Sequence, residues 1–94
     1  MMNAYETIFI LSPELGEDNT KALVEKFKNL LSTSGELVHL EEWGKKKLAY
    51  PIDYKTEGYY VLANFKANSD FPHELERNYK INEGVIKYMV IRKD

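Results

Sequence analysis

Apolar residues recur along this chain with two periods, and the switches between them mark out six elements. From Ala4 to Ser12 the period is two: Thr7, Phe9 and Leu11 share one face, and Glu6, Ile8 and Ile10 share the other. Apolar groups on both faces predict a central strand whose second face is covered by a partner or partly exposed. Pro13 ends it. Glu17 and Asp18 then open a helix, where carboxylates suit the positive N-terminal end. Leu23, Phe27, Leu30, Leu31 and Ser34 follow helical spacing and predict a core stripe, with Lys21, Glu25 and Lys28 on the opposite side. Gly35 is the predicted stop.

Leu37 to Tyr50 reads as a long strand, bent or bulged near Gly44, because the apolar phase slips between Val38, Leu40 and Trp43. Asp53 to Thr56 turns. Gly58 to Lys66 is the next strand, with Tyr59, Val61, Ala63 and Phe65 on one face and Tyr60, Leu62 and Asn64 on the other. Ser69 or Asp70 is placed to cap a short helix with Pro72 in its first turn and Leu75 and Tyr79 one turn apart. Asn82-Glu83-Gly84 turns into a last strand, Val85 to Arg92. The order βαββαβ predicts an α+β, ferredoxin-like fold: a four-stranded antiparallel sheet backed by two helices, with the first and third strands central. No linker or repeat interrupts residues 1–94, which read as a single domain.

Two helices cover only one side of such a sheet. If Phe9 and Leu11 face them, Ile8 and Ile10 face outward beside Tyr60, Leu62 and Met89, with Ile91 nearby. A contiguous apolar patch of this kind predicts a protein partner. The alternative is that long side chains such as Lys66 and Lys87 lie across the patch and shield it. A second candidate interface is the edge from Trp43 to Tyr50.

Composition narrows the class. A hydrophobic content of 44% with 30% charged residues is that of an ordinary soluble domain. No apolar run nears the roughly 20 residues of a membrane span, and the first residues lack the pattern of a secretory signal. The absence of cysteine excludes disulfides and thiolate chemistry and fits a cytoplasmic location. Net charge is −2, yet residues 1–43 carry eight acidic and three basic side chains, against seven and ten in residues 44–94. Such a molecule would dock its basic side on an acidic partner.

Signs of enzymatic chemistry are poor. His39 and His73 show no metal-ligand spacing. Glu41 and Glu42 point to opposite faces of a strand, and Glu74 and Glu76 lie about 200° apart on a helix. The glycines are isolated rather than gathered into a phosphate cradle. No cofactor, metal or small-molecule substrate is expected.

The most informative tract is Trp43-Gly44-Lys45-Lys46-Lys47-Leu48-Ala49-Tyr50-Pro51-Ile52. Three lysines in a row are often a solvated turn or an edge strand defended against pairing. Here aromatics bracket them, and cations beside rings also suit phosphate neutralisation and base stacking.

The tract resembles the signature of the sixth protein of the bacterial small ribosomal subunit. Tyr5-Glu6, Pro13-Glu14-Leu15, Glu57-Gly58-Tyr59-Tyr60 and Met89-Val90-Ile91 extend the resemblance, in order, from Tyr5 to about Arg92. It implies a structural component of the ribosome, bound to the central domain of the small-subunit rRNA together with the eighteenth protein of that subunit. It implies an RNA surface at Tyr5, Lys45, Lys46, Lys47, Tyr50, Lys87 and Arg92, with Arg77 and Lys80 as secondary candidates. The partner-protein surface would comprise Ile8, Ile10, Trp43, Tyr60, Leu62 and Met89. Two departures stand out: Met2-Asn3-Ala4 has no cation where family members carry one, and Asp53 replaces a basic residue. The rival readings are an RNA recognition motif or a small-molecule sensor domain of the same fold. The former is disfavoured by Glu57, Val61 and Ala63, which stand where a basic residue and stacking aromatics belong.

Overall fold

The computed structural model describes residues 2–52 and 54–93, and the departure at Asp53 lies outside them. The elements are β1 (Met2–Leu11), a 3₁₀ turn (Pro13–Leu15), α1 (Glu17–Ser34), β2 (Glu36–Ile52), β3 (Lys55–Asn68), α2 (Phe71–Ile81) and β4 (Val85–Arg92). The strands form one sheet in the order β2-β3-β1-β4, with every neighbouring pair antiparallel. This is the expected ferredoxin-like architecture, with β1 and β3 in the centre.

The strands run longer than their apolar patterns. β1 begins at Met2 because β3 continues to Asn68, and the pairs Met2↔Asn68 and Asn3↔Ala67 extend the ladder regardless of side-chain polarity. β2 carries register shifts between Leu37 and His39 and between Glu42 and Gly44, so Val38 and Trp43 each sit on a bulge. Gly44 supplies the left-handed φ of 80° at the second one. Gly35 ends α1 by a different route from the one expected, because its φ of −168° is ordinary extended backbone. A side chain there would collide with the Lys66 carbonyl.

The core lies between the helices and one face of the sheet. Phe9, Leu11, Val61, Ala63 and Phe65 meet Leu23, Val24, Phe27 and Leu31 of α1 and Phe71, Leu75 and Tyr79 of α2. Val24 and Phe71 join the expected stripes, whereas Ser34 is exposed at the end of α1. The rings of Phe9, Phe27 and Tyr79 lie 4.7–5.3 Å from one another, joining β1 to both helices through aromatic contacts.

One buried polar chain crosses this core. Thr7 Oγ1 donates to the Met89 carbonyl at 2.9 Å. Its only proton is then committed, so the Tyr79 hydroxyl, 3.0 Å away, donates to Thr7. Burial pushes the Tyr79 phenol well above its ordinary value near 10, since the anion would lose its hydration. The folded pKa exceeds the unfolded one. Stability from the neutral phenol is therefore complete below about pH 10 and is lost as pH rises beyond it.

Thr7→Val, which strands the Tyr79 hydroxyl without an acceptor, is expected to cost about 1–3 kcal/mol, and Tyr79→Phe about 1 kcal/mol. Urea titration measures both. Above pH 10 the native protein should lose stability faster than Tyr79→Phe, by up to about 1.4 kcal/mol per pH unit. Parallel pH profiles would show that the phenol is not the source.

Candidate nucleic-acid interface

The lysine tract lies on an arm that outruns the sheet. β1 stops at Leu11, opposite Tyr59, so Lys55 to Gly58 and the facing part of β2 continue as a two-stranded extension. Within it, Lys45 faces Tyr59, Lys46 faces Gly58 and Lys47 faces Glu57. Paired residues share a face. Lys45 and Lys47 therefore point to the helix side, and Lys46 points to the open side. There its ammonium stands 5.1 Å from the Trp43 ring. All three lysines are exposed, and none forms an ion pair among the described residues. At the root of the arm the Tyr59 hydroxyl donates to the Glu42 carboxylate at 2.8 Å, and that anionic acceptor holds the phenol above its usual range.

Beyond Lys47 the ladder breaks. Leu48 to Pro51 oppose Thr56 alone before pairing resumes at Ile52↔Lys55. Pro51 is tolerated in such an irregular edge segment because no ladder donor is required of it. Freed from the ladder, Tyr50 reaches Lys87 on β4. The Lys87 ammonium donates to the Tyr50 hydroxyl at 2.7 Å and stands 4.8 Å from its ring centre. Two residues expected on the RNA surface thus touch each other.

The open face carries Ile8 and Ile10 of β1, Tyr60 and Leu62 of β3, and Met89 and Ile91 of β4 in one register. Trp43 joins them by stacking on Tyr60 at 6.4 Å and 16°, while its Nε1 donates to Glu41. The expected outward row needs one correction. Ile10 and Leu62 are only 7% and 9% exposed although no helix covers them. Gly58 explains Ile10: the space a side chain would fill is taken by Ile10 Cγ2 and Ile86 Cδ1. The exposed members are Met89 and Ile91, beside a shallow apolar groove of about 150 Å³ lined by Ile8, Ile10, Lys87, Tyr88 and Met89. Ile86 was not legible as part of this face, because a register shift between Ile10 and Leu11 puts it there.

The remaining candidates fall elsewhere. Tyr5 lies on the helix side, 6% exposed and stacked on Phe65 at 5.5 Å, which closes its ring face to a base. Its hydroxyl accepts from Asn3 Nδ2 at 3.4 Å. Arg92, opposite Tyr5, donates to Asn3 Oδ1 at 3.1 Å. Arg77 is held by Glu74 through contacts of 2.7 and 3.3 Å, which lower the carboxyl pKa and raise that of the guanidinium. Lys80 is exposed on α2, away from the arm in sequence and on a different layer.

The family model described as ribosomal protein S6 matches residues 4–92. The chain belongs to the ribosomal protein S6 family. It is 53% identical to the small ribosomal subunit protein bS6 of Caldanaerobacter subterraneus subsp. tengcongensis over 94 residues, covering 99% of each chain. It is 55% identical to the bS6 protein of Thermoanaerobacter pseudethanolicus over the same span and coverage. The crystal structure of 30S ribosomal protein S6 from Thermotoga maritima superposes with a TM-score of 0.93 at 28% identity, covering 99% of this chain and 89% of that one. Membership makes the chain a structural protein of the small ribosomal subunit, cytoplasmic in bacteria, and not an enzyme.

Within this S6-family chain, Gly58 ties the arm to the open face. Gly58→Ala is expected to cost about 1–3 kcal/mol by forcing Ile10 and Ile86 apart. Thermal denaturation reads this directly, and an unchanged midpoint would show that the two side chains yield freely.

Proposed function

We propose that this protein binds the central domain of the small-subunit rRNA together with the eighteenth protein of that subunit. The observation that carries the proposal is the arm: three exposed lysines without carboxylate partners, on a strand pair projecting past the sheet. Phosphates would be met by Lys45, Lys46 and Lys47, with Lys87 and Arg92 toward β4 and the Tyr50 ring beside them. The Tyr5 contribution would be limited to its hydroxyl edge. The partner protein would cover the open face, where Met89, Ile91, Ile8 and the Trp43–Tyr60 stack form the accessible apolar surface. Acidic residues dominate positions 1–43, so a basic partner would find complementary charge.

Replacing Lys45, Lys46 and Lys47 together by alanine should lower the salt slope of binding to a central-domain rRNA fragment by about 2–3 units, without changing which RNA is preferred. Filter binding across a salt series, with the eighteenth protein present, gives the slope. An unaltered slope would remove the arm from the RNA surface.

The partner face is tested best where substitution spares the fold. Ile10 is too buried for that purpose, but Met89 is 43% exposed. Met89→Lys should weaken pairing with the eighteenth protein roughly tenfold or more by burying an unpaired charge, while leaving the isolated domain folded. Titration calorimetry with unchanged affinity would move the interface to another surface.

A further inference from the structure

The break in the β2–β3 ladder leaves Leu48 to Pro51 opposite Thr56 alone, and Pro51 has no N–H to offer. Backbone pairing therefore does not fix the outer end of the arm. Two side-chain tethers stand in its place. On the open side, Lys87 of β4 holds Tyr50 by a hydrogen bond and by its position over the ring. From β3, Lys55, whose side chain is only 20% exposed, reaches Glu14 of the 3₁₀ turn at 3.3 Å. Tyr50 and Lys87 are 37 residues apart in sequence, and between their strands in the sheet lie β3 and β1.

We infer that Lys87 is a positioning residue: by clasping Tyr50 it fixes the outer end of the arm across the open face, and so sets where the lysine tract points. It acts on RNA through Tyr50 rather than as a separate phosphate ligand, an inference whose RNA consequence rests on the proposed function above. A lysine that donates to a phenol and sits on its ring is committed in direction. The irregular backbone beside it has conformational freedom to lose, so the clasp lowers the ordering cost that RNA binding would otherwise meet. A preformed tether and a phosphate contact leave different traces. The tether changes the arm before any RNA is present, and its two halves lose their effect together.

The test uses the full-length chain, with Lys87→Met, Tyr50→Leu and the double variant. In the free protein, amide hydrogen exchange of residues 47–56 should accelerate about two- to five-fold in each single variant. The double variant should exchange no faster than the singles, while amides of the central sheet stay unchanged. Tyr50→Phe, which keeps the ring and loses the hydroxyl, should fall between native and Tyr50→Leu. Exchange rates that do not move in the single variants, or that multiply in the double, would overturn the clasp whatever the RNA result. On a central-domain rRNA fragment, Lys87→Met should weaken binding by the same factor as Tyr50→Leu with no loss of salt slope. A slope lowered by about one unit in Lys87→Met alone would make Lys87 a direct phosphate ligand and overturn the positioning role. Loss of the RNA reading itself would appear separately, as native protein that shows the exchange pattern yet does not bind the fragment.

Discussion

Two helices lie over one face of a four-stranded sheet, while the strand at its centre is apolar on both faces. Thr7, Phe9 and Leu11 find their partners beneath α1 and α2, and Ile8 and Ile10 do not. A two-layer domain of this size has no third layer to offer them. The chain answers partly from within: Ile10 sinks over the backbone of Gly58 beside Ile86, and Leu62 is covered next to it. What cannot be absorbed this way, chiefly Met89, Ile91 and the Trp43–Tyr60 stack, remains as accessible apolar surface. A structural protein that works inside a larger particle is where such a surface is useful instead of hazardous.

The same sheet generates the arm. Central strands are bounded by neighbours on both sides, but β2 and β3 pair with each other beyond the last residue of β1. Past that point the hairpin no longer shares the core, and its composition changes accordingly, from alternating apolar residues to lysines. The bulges at Val38 and Trp43 add two residues to β2 relative to β3 and shift the phase of everything that follows. Without them Lys45 and Lys46 would exchange faces, and the lysine that shares the open side with Trp43 would be a different one.

Much of the architecture was legible in the chain because two periods of hydrophobicity, read in order, define βαββαβ and the faces of β1 and β3. The slip of apolar phase near Gly44 was readable as a bulge for the same reason. Other features were hidden because they depend on what lies across the ladder. The start of β1 at Met2 follows from the length of β3, and Ile86 reaches the open face only through a register shift on β4. The burial of Ile10 depends on a glycine 48 positions away, and that of Tyr5 on Phe65 beneath it. For the candidate interface, residue types were legible and their grouping was not. Tyr50 and Lys87 look like separate candidates until the fold brings them to 2.7 Å.

Charge completes the picture of how a chain of net charge −2 presents a basic end. Cations elsewhere stand beside carboxylates: Lys21 by Glu17, Lys55 by Glu14 and Arg77 by Glu74. Exposed pairs of this kind add little stability, but they cancel the field of their cations at short range. Lys45, Lys46 and Lys47 have no such neighbours among the described residues, so their field is left uncancelled where the arm leaves the sheet. At physiological salt, interactions fade over about 8 Å, so local arrangement outweighs the net count. A polyanion approaching the arm meets its lysines before it meets the acidic residues that dominate positions 1–43. The short range of that attraction also makes position matter: cations on a wandering arm would spread it over many poses, and an arm held at its outer end concentrates it in one.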